Sequence, residues 1–400
     1  MLPSQLFSQD DATRRRSSEI GLHVGGLHAG PLNAITDVQG VLVGHTTRME
    51  DDHIRTGVTA VLPHGRNLFQ EKVPAAIHCY NGFGKLAGYL QVQELGNIEA
   101  PIVLTNTLNV GTAVDAVIKY VLSSDGNEAV RSVNAVVGET NDGFLNDIRG
   151  QHITTTDVDR AIRAAVGGPV AEGTVGAGTG TMAFGYKGGI GTASRLTPEI
   201  DGTQYTVGVL VQSNFGRSLL INGIPFTREM QREERTRDRG ENLYGENNEG
   251  YAMAGAVQGL SGLYGPEEGS CMIVIATDAP LCPRNLDRLA RRSFTGMGRT
   301  TTVMTNGSGD FAIAFSTAYT IPHGGNRMPE DWPPLLSNNA MNGLFQAVEE
   351  ATQEAIYNSL LMADPVTGHQ GRRGEAIPVE EVVRFLKEYN MFEYNDRLPR

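Results

Sequence analysis

The sequence predicts a mixed α/β (α+β) protein with buried sheets, because two kinds of segment are interleaved along the chain. Segments of the first kind are short β-branched runs separated by Gly or Asp, which is typical of strands. Segments of the second kind place apolar residues at the helical period. The predicted strands are VQGVLVGHT, TGVTAVL, APIVLTN, VNAVVGE, YTVGVLVQSN, CMIVIATD and FAIAFST.

The helical period is clearest towards the end of the chain, where Leu344, Val348, Ala351 and Ala355 recur on one face. Shorter stretches between the predicted strands have a similar pattern. The predicted helices cover residues 111–122, 156–166, 286–292 and 341–362.

Residues 228–241 differ from the rest of the chain, because ten of these fourteen residues are charged. The stretch ENLYGENNEG, which overlaps their end, has no periodicity. We predict an exposed, mobile connection here. A solvated helix with alternating charges remains the alternative, and both interpretations place the segment on the surface.

The composition is that of a globular protein. Hydrophobic residues make up 40% and charged residues 20% of the 400 residues, which leaves ample material for a core. This length permits two domains or one large layered domain. The net charge of -12 argues against nucleic-acid binding, because phosphate recognition needs a concentrated basic surface.

The cysteines and histidines show no pattern of a disulfide framework or a metal site. Cys79, Cys271 and Cys282 have neither an even count nor a CxxC spacing, which fits a reducing compartment. The nine histidines form no HExxH motif, so we predict no metal. No apolar run near the start is long enough for a signal peptide or a membrane span, so we expect a soluble, cytoplasmic protein.

The junction between Gly269 and Ser270 lies where a loop rich in Pro, Gly and Glu meets an apolar run, in YGPEEGSCMIVIATDAP. Autoproteolysis by an N-to-O acyl shift needs a strained peptide whose carbonyl an adjacent hydroxyl attacks, and Gly tolerates such strain best. The released α-amine would have a pKa of about 8 and could act as a base. From residue chemistry alone, an ordinary Gly-Ser turn remains the alternative.

The Gly-rich tract GAGTGTMAFGYKGG resembles a phosphate cradle only superficially. It lacks the GK[ST] ending of a P-loop. The spacing of Gly176, Gly178 and Gly180 also differs from that of a dinucleotide fingerprint. We therefore predict no nucleotide cofactor.

Seven motifs occur in order over nearly the whole chain. They are NAITDVQGVLVGH at 33–45, RTGVTAVLPHG at 55–65, PIVLTNTLNVGT at 101–112, VVGETNDGFLND at 136–147, YKGGIGTASR at 186–195, VGVLVQSNFG at 207–216 and GSCMIVIATDAPL at 269–281. With these motifs the sequence resembles the family of DmpA-type L-aminopeptidase/D-amidase-esterases and β-peptidyl aminopeptidases. Precursors of that family are cut before a Ser that opens the smaller chain.

The resemblance implies a fold and an assembly. The fold is a four-layer αββα sandwich, shared with ornithine acetyltransferases, that forms one domain over residues 1–400. Cleavage would divide it into an α chain, residues 1–269, and a β chain, residues 270–400. The assembly would be a homo-oligomer, a tetramer of αβ units, and the reaction would need no cofactor.

The resemblance also assigns the reacting groups. Ser270 is the nucleophile and its released amine the general base. Asn214, from the VLVQxNxG motif, supplies a donor to the oxyanion. Ser308 and Asp310, in TNGSGD, orient the amine. Asp310 stands where the family has Glu, and an ordinary hairpin loop is the alternative interpretation of that segment.

Substrate binding is assigned in the same way. Glu139 would anchor the substrate's ammonium group, with Asp142 and Asp147 as alternatives. Asn141 aligns with a Tyr that lies near the oxyanion in some relatives. Lys85 stands where the best-known members have Glu, which suggests a different substrate preference.

The predicted activity is that of a self-cleaving serine aminopeptidase. It would hydrolyse an amide or ester bond next to a free amine, in L-peptides, D-amino acid amides or esters, or β-peptides, through an acyl-enzyme. An acyltransferase on the same fold is one alternative. A catalytically silent, uncut binding protein is another, because Asp310 and Asn141 depart from the family pattern.

Overall fold

The computed structural model describes residues 14–216, 218–242, 269–302, 304–324, 330 and 332–394. The helices in these residues are α1 (Tyr89–Leu95), α2 (Val110–Leu122), α3 (Thr155–Arg163), α4 (Phe226–Asn242), α5 (Pro283–Gly298), α6 (Met341–Leu361) and α7 (Val379–Glu388). The strands are β1 (Leu42–Glu50), β2 (Ile54–Leu62), β3 (Glu71–Gly82), β4 (Asn97–Ile98), β5 (Ile102–Asn106), β6 (Val136–Thr140), β7 (Met182–Ala183), β8 (Tyr186–Lys187), β9 (Gly189–Leu196), β10 (Thr206–Asn214), β11 (Gly269–Thr277), β12 (Ser308–Ser316), β13 (Ile321–Pro322), β14 (Val366–Thr367) and β15 (Arg373–Gly374).

Two large sheets form the centre of the fold. The smaller has the strand order β1-β2-β5-β6, with β5 and β6 parallel and the other pairs antiparallel. The larger has the order β13-β3-β12-β11-β10-β9, and β4 also pairs with β3. Within it β11 and β12 are parallel, while β10 lies antiparallel to β11.

The two sheets pack face to face through a largely apolar layer, which Gln212 of β10 crosses to bond with Thr105 and Thr140 of the smaller sheet. Leu104 and Val136 of the smaller sheet belong to this layer, as do Leu210, Met272 and Ile313 of the larger sheet. Alternate residues of these strands point to opposite faces, so each sheet has a second apolar face that must be covered.

Helices cover those outer faces. Helices α2 and α3 pack on the smaller sheet, where Val117 and Val158 are buried against Ala60. Helices α5, α6 and α7 share a core with the outer face of the larger sheet. The order of layers is therefore α, β, β, α, which confirms the predicted four-layer sandwich.

The predicted helices are present with shifted ends. The helix expected at 286–292 extends to Pro283–Gly298, because Pro283 occupies its first turn and Phe294 and Met297 continue its buried face. The first predicted strand starts later than expected, since Gly40 has a φ of 92° in a turn before β1.

Residues 228–241 lie within a helix, which agrees with the alternative interpretation and not with the predicted exposed, mobile connection. Helix α4 covers these residues, and ENLYGENNEG continues beyond the described residues after position 242. Phe226 is fully buried in the outer core, and Glu229 pairs with Arg232 one turn later. Such i,i+3 pairs add to the stability of a helix in which most residues are charged.

Within the described part of the chain, no helix is both long and apolar enough to cross a membrane.

Candidate active site

The candidate nucleophile lies where three central strands of the larger sheet meet. Strand β11 begins at Gly269, and Ser270 is paired with Asn214 at the end of β10. On its other side Ser270 is in register with Gly309 of β12. This register brings the oxyanion candidate and the TNGSGD segment to either side of Ser270, although they are far apart in sequence.

The hydroxyl of Ser270 lies against the peptide that autoproteolysis would cut. Its Oγ donates a hydrogen bond of 2.7 Å to the carbonyl oxygen of Gly269. Ser270 itself is buried, with 7% of its surface exposed. The attacking oxygen and the carbonyl group are therefore already adjacent in the uncut chain.

The structure gives no steric reason for glycine at position 269. Its φ is not among the positive values of the described residues. A Cβ added there would meet Phe215 at 3.4 Å and the Ser308 Oγ at 3.6 Å, which are ordinary contacts. Neither the φ of Gly269 nor the space around it therefore shows the strain that was expected there.

A backbone contact orients the side chain of Asn214. Its Oδ1 accepts a 3.0 Å hydrogen bond from the N–H of Met182 in β7. The amide nitrogen is thus the end of the side chain that remains for the cavity beside Ser270. A donor fixed in this way needs no reorganisation when negative charge develops near it.

Ser270 opens into a cavity of about 350 Å³. Its wall comes from both sheets and from the loops at their ends, so it spans the apolar layer between them at one edge. The lining residues are Phe83, Lys85, Thr107, Glu139, Asn141, Gly143, Phe144, Ile148, Asn214, Gly269, Ser270, Gly307 and Arg372.

Glu139 is the only carboxylate among these described lining residues. It lies in β6, is 4% exposed, and accepts a 2.9 Å hydrogen bond from the backbone N–H of Lys85 at Oε1. Its Oε2 accepts a short hydrogen bond from the Thr107 hydroxyl. The Lys85 Nζ lies 3.9 Å from Oε1. A buried carboxylate held at a cavity wall can receive a substrate cation.

Gly84 allows the loop after β3 to pass between Glu139 and β12. A Cβ at this position would lie 3.0 Å from the Phe311 ring, 3.2 Å from Glu139 Oε1 and 3.5 Å from the Cα of Gly309. A side chain there would be tightly constrained on three sides. The close approach brings the Lys85 backbone to Glu139, next to the strand that pairs with Ser270.

Ser308 and Asp310 lie in β12, the strand that pairs with the strand of Ser270, and they are not among the residues that line the cavity. Asp310 is fully buried and in register with Cys271. Burial raises the pKa of Asp310 to about 6, although the Ser308 hydroxyl and the Cys271 N–H lower it in part. Neither group makes a hydrogen bond of ordinary geometry to Asp310, since both of its carboxylate oxygens lack a partner among the described residues.

The other acidic candidates for the substrate anchor lie elsewhere. Asp142 is buried away from the cavity and accepts a 3.0 Å hydrogen bond from Asn146. Its burial raises its pKa to about 7. Asp147 pairs with His152 at 3.0 Å. Only Glu139 among these three carboxylates reaches the cavity.

Asn141 is exposed on the cavity wall, where its Oδ1 accepts a 2.9 Å hydrogen bond from the N–H of Gly143. Arg372 and Thr107 also reach the cavity, and sequence reasoning did not select them. Thr107 lies inside the PIVLTNTLNVGT motif, which was a usable signal. Arg372 has no such signal, because it is more than 200 residues from the loop that it contacts.

The described residues contain no group of three or more His, Cys, Asp or Glu side chains arranged to hold a metal ion. Cys79, Cys271 and Cys282 are not joined in disulfides.

Comparison with known proteins identifies the family. The model of peptidase family S58 matches residues 33–374. A beta-peptidyl aminopeptidase BapA of Sphingosinicella microcystinivorans is 40% identical over 94% of this chain and 92% of its own length. These matches extend the resemblance predicted from the seven motifs to 94% of the chain.

Solved structures show the same similarity. The L-aminopeptidase D-Ala-esterase/amidase of Ochrobactrum anthropi, described as a variant of the Ntn hydrolase fold, superposes with a TM-score of 0.80 at 34% identity. A beta-aminopeptidase of a Burkholderia species superposes with a TM-score of 0.78 at 34% identity. Each alignment covers 94% of this chain and 99% of the other. The chain belongs to peptidase family S58.

Proposed function

We propose that this chain is a self-cleaving aminopeptidase in which Ser270 first cuts its own precursor and then hydrolyses substrates through an acyl-enzyme. As a member of a peptidase family the chain is a hydrolase, and its relatives include beta-peptidyl aminopeptidases. The observation that carries the proposal is the contact between the Ser270 hydroxyl and the Gly269 carbonyl, beside an oriented Asn214.

Self-cleavage would proceed by an N-to-O acyl shift. The Ser270 Oγ attacks the carbonyl carbon of Gly269, and the hydroxyl proton passes to the amide nitrogen as the C–N bond breaks, which leaves an ester and a free amine. Water then hydrolyses the ester, which gives a carboxylate at Gly269 and restores the hydroxyl of Ser270. The products are the chains 1–269 and 270–400, two fragments of one folded domain.

In each later turnover the amine of Ser270 would take the proton of its own hydroxyl. An α-amine with an ordinary pKa of about 8 is partly neutral near pH 7, so it can accept that proton. Once protonated, the ammonium needs a counter-charge, and Asp310 is a buried carboxylate without a partner in the described structure. Ser308 lies beside it and would help to orient the amine.

Transition-state charge would be stabilised by Asn214. Its amide faces the cavity while Met182 holds its oxygen, so the N–H donor can approach the oxyanion. The proton taken from Ser270 would pass to the leaving amine, and water would then hydrolyse the acyl-enzyme. Asn141 is a second amide on the cavity wall and a candidate for the position that Tyr occupies in relatives.

Glu139 would bind the amine of the substrate. The carboxylate is buried, and hydrogen bonds from the Lys85 N–H and the Thr107 hydroxyl hold it at the cavity wall. Since an ammonium near the scissile bond is costly to desolvate alone, this pairing selects substrates with a free N-terminus. The similarity to beta-peptidyl aminopeptidases favours β-amino acid residues among the candidate substrates of this chain.

Intact mass and N-terminal sequencing test the proposal directly. We expect wild-type protein to give two fragments that begin at Met1 and Ser270. Ser270→Ala should remain one chain of 43.0 kDa and lose turnover by at least about 10⁴-fold, because nucleophile and base are lost together.

A matched control is Ser293→Ala, since Ser293 is also buried and its hydroxyl donates to the Ala290 carbonyl within α5. It should be cut and active like the wild type. A single uncut chain in a preparation that hydrolyses amides would refute the mechanism.

We further propose a cytoplasmic homo-oligomer, a tetramer of αβ units, on the family pattern. Light scattering during size-exclusion chromatography measures the mass of the assembly. A monomer of one αβ unit would contradict this part of the proposal.

A further inference from the structure

The cavity beside Ser270 holds opposite charges close together. The Lys85 Nζ lies 3.9 Å from Glu139 Oε1. Arg372 adds a second positive charge to the wall. Among the described lining residues there are thus two cations and one carboxylate, although an aminopeptidase needs only a carboxylate to receive the substrate's amine.

Lys85 is the cation that remains available to a ligand. The nitrogens of Arg372 donate to the carbonyls of Gly143 and Phe144 and to Gln370, so Arg372 holds the wall in place. The Lys85 ammonium has no hydrogen-bond partner in the described part of the chain, and 57% of its side chain is exposed. Its backbone is fixed by the N–H bond to Glu139.

A carbon atom that carries both an ammonium and a carboxylate matches this pair of charges. The nitrogen and the carboxylate oxygens on such a carbon are about 3 Å apart, from ordinary bond lengths. The ammonium can therefore meet Glu139 while the carboxylate meets Lys85, and each protein charge is neutralised by its opposite.

We infer that Lys85 and Glu139 together select peptides that begin with a β-linked aspartyl residue. The inference rests on the proposed function, in which Glu139 binds the substrate amine. In an α-peptide the amine-bearing carbon carries the scissile carbonyl and has no free carboxylate. In a β-aspartyl peptide the scissile carbonyl is one methylene away, so the α-carboxylate remains beside the amine.

The spacing of a β-aspartyl residue is that of a β-amino acid. The amine, the intervening methylene and the scissile carbonyl follow one another as in any β-peptide, which is the substrate type in the names of the relatives. The reaction is unchanged: water is added across the amide, and aspartate and the shortened peptide leave. Lys85 acts in recognition and takes no part in proton transfer.

Two matched substrates test the inference. β-Aspartyl p-nitroanilide and 3-aminobutanoyl p-nitroanilide differ only by a carboxylate in place of a methyl group. We expect wild-type kcat/KM to favour the β-aspartyl compound by about fivefold, the size of a partly exposed ion pair. Lys85→Met should reduce this ratio to about one, and Lys85→Glu should reverse it.

A control variant is Lys119→Met, because Lys119 pairs with Asp115 on the exposed face of α2. It should keep the wild-type ratio. A wild-type ratio of one, or a ratio that Lys85→Met leaves unchanged, overturns the inference. A general structural role for Lys85 would instead lower kcat/KM for both substrates by the same factor.

A further pair tests which end of the substrate Lys85 meets. It consists of 3-aminobutanoyl-glycine and the corresponding glycine amide, which differ in a carboxylate on the leaving group. A Lys85-dependent preference in this pair, and none in the first pair, would overturn the inference. Failure of the proposed function is distinct, because the wild type would then hydrolyse neither p-nitroanilide.

Discussion

Two buried carboxylates in this fold, Glu354 and Asp310, have opposite surroundings. Glu354 lies in α6, is 3% exposed, and pairs with the equally buried Arg195 of β9. Its Oε1 also accepts hydrogen bonds from the Ser17 hydroxyl at 2.9 Å and from Asn33 at 2.7 Å. Asp310 lies in β12 with both oxygens unpartnered among the described residues.

The pKa values of the two groups show the difference. Burial alone would raise the pKa of Glu354, but the charge of Arg195 and the hydrogen bonds outweigh burial and hold the pKa below its ordinary value. Burial raises the pKa of Asp310 to about 6 because nothing outweighs it. The Glu354 site already has its counter-charge, Arg195, in the uncut precursor. The other, in our proposal, lacks the ammonium that cleavage creates.

The largest expected effect concerns the buried ion pair between Glu354 and Arg195. Glu354→Gln, made in the Ser270→Ala chain, should lower the free energy of unfolding by about 3–5 kcal/mol, because Arg195 loses its main counter-charge in a buried position. Denaturant unfolding at pH 7 measures this change. Glu388→Gln is the control, since its pair with Arg384 is exposed and should contribute at most about 1 kcal/mol.

The outcome that contradicts this view is a Glu354→Gln change as small as the control. It would mean that Glu350, which lies 3.4 Å from Arg195, satisfies the guanidinium alone.

The next prediction concerns Asn214, the proposed oxyanion donor beside Ser270. Asn214→Ala should lower kcat by about 10²- to 10³-fold, or roughly 3–4 kcal/mol in the barrier, with little change in KM. Turnover is measured per Ser270 N-terminus, so that slower self-cleavage is counted separately. The control Asn97→Ala removes a buried amide at the start of β4, which is not among the cavity-lining residues, and should leave kcat unchanged. A decrease of less than threefold in Asn214→Ala would exclude this role.

The elements of the fold differ in how well the sequence predicted them. Strands such as β10 and β11 were predicted because β-branched runs are a local signal. Strand β3 was not predicted, since it contains Pro74 and few β-branched residues. The segment of helix α4 was predicted to be an exposed, mobile connection, with a solvated helix only as the alternative, because residues 228–241 lack the apolar period used to find helices.

The family motifs contain the predicted site residues. The structure added the features that depend on strand pairing and burial. Ser270, Asn214 and Glu139 reach one cavity, and their motifs were conspicuous in the sequence. Arg372 joins them only through the fold. The sequence TNGSGD does not indicate that the Asp310 carboxylate is buried without a partner among the described residues. The same sequence is compatible with a carboxylate that faces solvent.

The smallest expected effect tests Asp310 itself. In the uncut Ser270→Ala chain the carboxyl keeps its proton up to about pH 6 when folded, but loses it near its ordinary value of 3.8 when unfolded. Stability should therefore fall as the pH rises from about 4 to 6. A two-unit increase corresponds to roughly 2–3 kcal/mol. Asp310→Asn removes that loss, so it should stabilise the uncut chain by about 2 kcal/mol at pH 8 and leave it unchanged at pH 4.

The same substitution should have the opposite effect after cleavage. In the proposed mature enzyme the Ser270 ammonium pairs with Asp310, so Asp310→Asn removes a buried counter-charge and should destabilise the cleaved form at pH 7. Parallel melting curves of the uncut and cleaved proteins, each with and without Asp310→Asn, measure both signs. If Asp310→Asn stabilises both forms equally, the carboxylate has no partner in either, and the Ser270 amine must be held by another group.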